Sequence, residues 1–188
     1  MTAFFSALSH ALIGVSATDK NRCRLMHDAR ADAFRLLDHA SFASNGKGRL
    51  IFIGNGGSAA IASHMANDWQ KNGGYRTLCF NDAASLTCLG NDLGYDEVFA
   101  HPISLHIEKD DVLFAISSSG RSRNILNAAD AAKQRQASVL TFSGFDHDNP
   151  LRTMGDLNFH VPSSDYGIVE CAHLALIHSL LNEAIDHA

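Results

Sequence analysis

Residues 50–68 (LIFIGNGGSAAIASHMAND) combine a glycine turn that can bind an anion with a histidine–aspartate pair. Glycines allow backbone N–H groups to approach a phosphate, and Ser58 at a helix N-cap would direct the positive end of that helix towards it. His64 and Asp68 are four residues apart, so they share one helix face. We therefore expect phosphate binding at one end of this stretch and a metal or acid–base pair deeper along the helix. The alternative is a purely structural strand-to-helix turn.

A second pattern of apolar strand, hydroxyl- and glycine-rich loop and helix begins with the apolar run 112–116. Hydroxyl groups and backbone N–H groups of a serine-rich loop can donate to phosphate oxygens, although such a loop can also serve only to cap a helix. Loops at the carboxyl ends of neighbouring parallel strands face one crevice, which favours a shared phosphate site. The residues concerned are Ser117, Ser118, Ser119 and Ser122.

A regular alternation of strand and helix patterns must position these loops. Apolar runs predict strands at 50–53, 75–80, 112–116, 138–142 and 156–161. Helical spacing predicts helices at 3–16, 20–44, 58 onwards, 83–89, 124–134 and 166–185, with a polar loop at 90–99. This order is typical of a three-layer α/β fold with a mostly parallel sheet. We expect one domain over 1–188, with N-terminal helices over 1–45 and an α/β core over 46–188.

Composition excludes several other classes of protein. The net charge of −5 gives no general nucleic-acid footprint, and the apolar runs are too short for a membrane span. Four scattered cysteines without a CxxC pair favour free thiols in a reducing cytoplasm. The absence of GxGxxG and GxxxxGK[ST] removes support for dinucleotide and P-loop sites.

The last predicted helix carries three ligand-type side chains among apolar residues, namely Glu170, His173 and His178. Such polar groups require partners inside a protein. For His173 we favour an ordinary interior histidine.

Taken together, these motifs resemble the sugar isomerase (SIS) family and, within it, the phosphoheptose isomerases. The matching segments are GNGGSAA at 54–60 with His64, NDLGYDEVF at 91–99, ISSSG at 116–120 with Ser122, and residues 170–178. They occur in the family's order from about residue 20 onwards, and their combination is more specific than any one of them.

The resemblance implies a five-stranded, mostly parallel SIS-type sheet flanked by helices, and isomerisation of sedoheptulose 7-phosphate to D-glycero-D-manno-heptose 7-phosphate. It implies a homotetramer with sites between subunits and one zinc ion per subunit. Serines 58, 117, 118, 119 and 122 would bind the phosphate. The sugar would contact Asn55, Gly56, Gly57, Asn91, Asp92 and Glu170. The metal set would be His64, Asp68, Glu170 and His178, with Asp68 and His178 as the acid–base pair.

The chain departs from the family at two of these positions, with Asp68 in place of Glu and Glu170 in place of Gln. Aspartate is one methylene shorter, so a base would lie about 1 Å further back, a displacement that can cost about 100-fold in rate. A second carboxylate predicts firmer metal binding and a weaker Lewis acid. Glu170 and His178 are about 12 Å apart along a helix, so one ligand could instead come from a neighbouring subunit.

A second function therefore stays open. A SIS protein without isomerase activity would bind a phosphosugar as a regulator, or bind a bacterial replication initiator.

Overall fold

The computed structural model describes residues 1–21, 29–41 and 48–186. The helices are α1 Thr2–Ile13, α2 Ala29–Ser41, α3 Gly57–Lys71, α4 Ala83–Asp92, α5 Ala100–His106, α6 Arg123–Gln134 and α7 Tyr166–Asp186. The strands are β1 Ser16–Asp19, β2 Leu50–Gly54, β3 Thr77–Cys79, β4 Val112–Ser117, β5 Ser138–Ser143 and β6 Leu157–His160. Short 3₁₀ helices lie at Tyr95–Glu97 and Pro150–Thr153.

These strands form one sheet in the order β1-β6-β5-β4-β2-β3. The five predicted strands are all parallel, with Phe52 opposite Phe114 and Phe114 opposite Leu140. The prediction of five strands was one short, because β1 pairs antiparallel with β6 at the sheet edge. Its sequence SATD carries no apolar run, and aspartate is depleted in strands.

Both faces of the sheet are covered, which explains the continuous burial of β2 and β4. On one face, the rings of Phe52, Phe114, Phe142 and Phe159 form a row with centroids 4.5, 5.9 and 5.2 Å apart. On the other face, aliphatic side chains such as Ile51 and Leu113 pack against α5 and α6. The three-layer α/β prediction is confirmed.

The chain reverses its winding direction at β2, since β3 lies on one side of this strand and β4 on the other. In open α/β sheets, ligands bind at such a switch point, beyond the carboxyl ends of the strands. The glycine turn follows β2 and the serine loop follows β4. The topology therefore brings the two predicted phosphate loops side by side.

The helix predictions differ from the structure mainly at their boundaries. α1 ends at Ile13 instead of residue 16, and the predicted helix 20–44 contains α2, with its positions 22–28 and 42–44 outside the described residues. The predicted loop 90–99 was wrong in part, because α4 extends to Asp92 and a 3₁₀ helix follows. α5 was not predicted.

α7 is long and apolar enough to cross a membrane by length and composition alone, with a mean hydropathy of 1.3. It contacts α1, α3 and β5, and residues such as Ala172, His173 and Ile177 are buried there. A core helix that is buried on one side can have the same length and composition, and these contacts identify α7 as such a helix.

Candidate active site

A pocket of about 220 Å³ lies at the switch point, between the glycine turn and the serine loop. We refer to it as the serine pocket. Its wall contains nine of the eleven residues predicted to bind substrate, all except Asn91 and Asp92, together with Ile116 and Tyr166. The full lining is Asn55, Gly56, Gly57, Ser58, Ile116, Ser117, Ser118, Ser119, Ser122, Tyr166 and Glu170.

The first side of the pocket is the N-terminus of α3. The N-cap is Gly56, with φ of +55°, and Ser58 is already the second helical residue. The expectation of Ser58 as N-cap was therefore wrong, because the turn requires a positive φ that glycine adopts without strain. The first N–H groups of a helix have no acceptor within it, so this helix end still suits an anion.

The second side is the loop between β4 and α6. Ser117 donates its hydroxyl hydrogen to Ser122 Oγ at 3.4 Å, and Arg121 N–H donates to Ser119 Oγ at 3.2 Å. The Oγ atom of Ser118 is buried without a hydrogen-bond partner among the described residues. A buried hydroxyl of this kind is costly unless a ligand satisfies it, which supports a polar ligand here.

Glu170 closes the pocket from α7. Its carboxylate lies directly against Gly57, and a Cβ atom at that position would overlap the carboxylate atoms. A side chain at position 57 would therefore displace the end of the Glu170 side chain from this place. A carboxylate at this place would repel a bound phosphate.

Asn55 is held in position by two neighbours. Its side-chain amide exchanges two hydrogen bonds of 2.9 Å with the buried amide of Asn124. Tyr95 also donates its hydroxyl hydrogen to Asn55 Oδ1 at 2.9 Å. Sequence reasoning assigned no role to Asn124 or Tyr95. The available signals were a polar residue at the start of the helix after the serine loop and a tyrosine in the predicted loop 90–99.

Asn91 and Asp92, in contrast, do not line the serine pocket or the adjoining cavity that Tyr95 lines. They lie exposed at the end of α4, where Asn91 Nδ2 donates to Asp92 Oδ1 at 2.7 Å. Their contact with the sugar stays a prediction.

Three of the four predicted metal ligands meet at the partly exposed line of contact between α3 and α7, which we refer to as the groove. The Nε2 atoms of His64 and His178 are 3.3 Å apart, and Asp68 Oδ2 is 3.5 Å from His64 Nε2 and 3.9 Å from His178 Nδ1. Tetrahedral zinc with bonds of about 2.0–2.1 Å places neighbouring ligand atoms about 3.3 Å apart. The distance between His64 and His178 matches this value, and one ligand atom from each of the three residues lies within 4.8 Å of the other two. Imidazole nitrogens and a carboxylate oxygen are donor types that zinc binds.

Glu170 is not part of this cluster, which contains His64, Asp68 and His178 among the described residues. Contacts between Gly57 and Glu170, and between His64 and His178, show that α3 and α7 run side by side in the same direction. Because Glu170 precedes His178 by two turns of helix, its carboxylate is held at the serine pocket. Its role as a metal ligand within one chain finds no support in this position.

His173 lies between Glu170 and His178 in sequence but faces the sheet. It is fully buried, and its Nε2 atom is 3.1 Å from the carbonyl oxygen of Ser143. Burial lowers the pKa of His173 to about 4, so the ring is neutral at neutral pH. The expectation of an interior histidine is confirmed, but its Nδ1 atom is buried without a hydrogen-bond partner among the described residues.

The chain is similar to known proteins in sequence and in fold. The sequence model of the SIS domain family matches residues 20–144 of the chain. A phosphoheptose isomerase from Glaesserella parasuis serovar 5 (strain SH0165) is 31% identical over 169 residues, which cover 87% of this chain and 84% of the relative. One from Helicobacter pylori (strain ATCC 700392 / 26695) is 35% identical over 140 residues, covering 71% and 72%.

Among solved structures, a phosphoheptose isomerase from Francisella tularensis superposes with a TM-score of 0.80 at 26% identity, covering 100% of this chain and 96% of the other. The resemblance inferred from the sequence motifs is thereby confirmed, and with it the prediction of an isomerase. The chain belongs to the SIS domain family and groups with its phosphoheptose isomerases.

Proposed function

We propose that this protein isomerises sedoheptulose 7-phosphate to D-glycero-D-manno-heptose 7-phosphate, with zinc bound by His64, Asp68 and His178. One observation carries the proposal: an anion pocket and a zinc-type cluster lie along the same groove between two parallel helices. The phosphate would occupy the serine pocket, and C1 and C2 would reach the cluster. Binding energy from the phosphate would then position the reacting carbons remote from it.

The length of the groove supports a long sugar. Seven residues separate Gly57 from His64, and eight separate Glu170 from His178, which correspond to about 10.5 and 12 Å along the helices. An extended chain advances about 1.2 Å per bond, so eight bonds from C1 to phosphorus in a heptose 7-phosphate span about 10 Å. The six bonds in a pentose 5-phosphate span only about 7 Å. A seven-carbon substrate therefore fits the groove better than a five-carbon one.

The chemistry requires a proton to move between two adjacent carbons through an enediol. Zinc, when bound, supplies a Lewis acid that polarises the substrate carbonyl. Asp68 lies beside both imidazoles, and its carboxylate would both bind the metal and take a proton from one carbon and return it to the other. His178 would carry the proton between the two oxygens.

The decisive assay follows the reaction by NMR in D₂O. Wild-type protein should convert sedoheptulose 7-phosphate and incorporate deuterium at C1 or C2. Asp68→Asn and His178→Ala should each lose turnover and keep phosphosugar binding, because the serine pocket is untouched. Asp130→Asn and His101→Ala change exposed residues on other helices and serve as matched controls. Absence of both conversion and deuterium exchange in the wild type would leave a phosphosugar-binding protein without isomerase activity.

The proposal extends to assembly and location. α1 exposes Phe5 and Ile13 by 61% and 81%, and exposed apolar side chains on one helix suit a subunit interface. We propose a cytoplasmic homotetramer whose product supplies heptose for surface polysaccharides. Sedimentation of the purified protein tests the tetramer.

A further inference from the structure

A larger cavity of about 630 Å³ lies at the β1 edge of the sheet and shares no lining residue with the serine pocket. We refer to it as the edge cavity, because β1 and the end of β6 form its floor. Its walls also include the loops after β5 and β6. It is lined by Gly14, Ser16, Thr18, Phe145, His147, Arg152, His160, Pro162, Ser163 and Ser164.

This lining contains one guanidinium, two imidazoles and four hydroxyl groups, and it contains no carboxylate. Arg152 is only 5% exposed, and its Nη1 and Nη2 atoms donate to His147 O at 2.9 Å and to Ser16 Oγ at 3.0 Å. Both acceptors belong to wall residues, so the guanidinium lies within the wall. Its charge in a poorly solvated place attracts anions more strongly than a surface arginine does.

Two other polar groups of the wall are buried without a hydrogen-bond partner among the described residues. They are Nε2 of His160, in a residue 3% exposed, and Oγ1 of Thr18, in a residue 4% exposed. Buried polar groups are normally satisfied, because leaving one without a partner costs about 1–3 kcal/mol. Two such groups in one cavity point to a polar ligand there.

The backbone beside the cavity is also strained. Phe145 has φ of +55°, a conformation that is unfavourable for a bulky aromatic residue and that concentrates at ligand sites. Its N–H donates to Ser163 O at 2.8 Å, and its ring meets that of Tyr166 at a centroid distance of 4.7 Å. Tyr166 lines the serine pocket, so one aromatic contact separates the two sites.

From the lining, the buried groups and the strained backbone, we propose that the edge cavity is a second binding site, for a small molecule that carries an oxyanion group. Binding of this molecule in the edge cavity would change the position of the serine loop through residues 144–147. On the side of the serine loop, Gly144 N–H donates to Ser118 O at 2.9 Å, and Asp146 pairs with Arg121 at 3.1 Å. On the side of the cavity, Phe145 and His147 form its wall. A ligand in the edge cavity would therefore shift the serine loop.

The test uses protein-observed NMR of the full chain, with inorganic phosphate in one arm and succinate in the other. A Ser122→Asp background removes phosphate binding from the serine pocket, since it adds a carboxylate there and aspartate is a good N-cap for α6. In this background we expect saturable shifts at Ser16, His147 and Ser163. The arm that produces them identifies the oxyanion as phosphate or carboxylate.

Two variants of the cavity make the result specific. Arg152→Gln should weaken binding by about tenfold or more, because it removes a charge-assisted hydrogen bond, and Ser16→Leu should abolish binding by filling the cavity. Arg135→Gln, an arginine at the end of α6, is the matched control. Thr18→Val keeps the shape of the strand and removes only the buried hydroxyl, so it gives a second measurement if Arg152→Gln does not fold.

Three outcomes would overturn the proposal: no saturable shift with either anion, shifts that persist in Ser16→Leu, or equal weakening by Arg135→Gln. None of these readouts depends on turnover, so they stand apart from the isomerase assay. The coupling to the serine loop has its own measure in wild-type protein, where Ser16→Leu should change the shifts of Ser118 and Arg121. Unchanged shifts would leave two independent sites.

Discussion

His64 and His178 come from helices more than one hundred residues apart in sequence, yet their Nε2 atoms are 3.3 Å apart, with Asp68 beside both. Added zinc should therefore raise the melting temperature. At a free zinc concentration one hundred times the dissociation constant, the gain is about 2.7 kcal/mol. His64→Ala should lose this gain and the stoichiometric metal, whereas His101→Ala should keep both. Equal stabilisation of His64→Ala would show that zinc binds elsewhere.

Glu170 and Gly57 are in contact at the serine pocket, which leads to a prediction that separates two roles of the carboxylate. Glu170→Gln should lower KM for the phosphosugar by about fivefold, because it removes a repulsion of about 1 kcal/mol from the phosphate. Metal content should not change. Glu108→Gln, which alters an exposed carboxylate near Arg49, should leave KM unchanged. Loss of zinc from Glu170→Gln would instead support a role for Glu170 as a metal ligand across a subunit interface.

Tyr95 is 60% exposed, so its bond to Asn55 contributes little to folding. Tyr95→Phe should lower kcat/KM about fivefold, the equivalent of one hydrogen bond of about 1 kcal/mol, with no change in melting temperature. Steady-state kinetics and a thermal melt check both parts. Tyr75→Phe, in the segment between α3 and β3, is the matched control. Unchanged kinetics in Tyr95→Phe would mean that Asn124 alone positions Asn55.

The two buried histidines should make the protein less stable as the pH falls below neutral. Burial lowers the pKa of His173 to about 4, and burial together with the charge of Arg152 lowers the pKa of His160 to about 4. Unfolded histidine has a pKa of about 6.5, so the unfolded chain binds protons first as pH falls. The contribution of these histidines to the free energy of unfolding is therefore fully present above about pH 6.5. It decreases as the pH falls from about 6.5 and is lost once the pH has fallen through about 4.

For His173 alone, the free energy of unfolding at pH 5 should be about 2 kcal/mol lower than at neutral pH. Urea unfolding at fixed protein concentration, from pH 7 to pH 5, measures it. His173→Gln keeps a donor for the Ser143 carbonyl and should flatten the dependence, whereas the exposed His101→Gln should not. A slope unchanged in His173→Gln would place the titrating group elsewhere.

Much of the fold was readable from sequence because the parallel strands are buried on both faces. β4 and β2 appear in the sequence as unbroken apolar runs that follow polar or glycine-containing turns. β1 was missed because its stability comes from pairing with β6 and not from its own residues. α5 was missed because seven residues containing a proline give too short a period to recognise.

The residues of the candidate site were likewise predictable where local sequence determines their position, and were missed where tertiary packing does. Serine and glycine loops carry their chemistry in local sequence, so Ser58 and Ser117 to Ser119 were assigned to the pocket that contains them. The place of Glu170 depends on how two helices lie side by side, which no local pattern encodes. Asn124 and Tyr95 meet Asn55 only through tertiary packing.

The continuous α3 helix between Gly57 and His64 restricts how this site can adapt to other sugars. Deleting one residue would turn His64 by about 100° away from His178 while shortening the gap by only about 1.5 Å. Only steps close to a full turn, about 5.4 Å, would keep both ends on the same face. The helix therefore allows the distance between the two ends of the site to change only by about one turn at a time. Finer changes of substrate must come from side chains that border the groove.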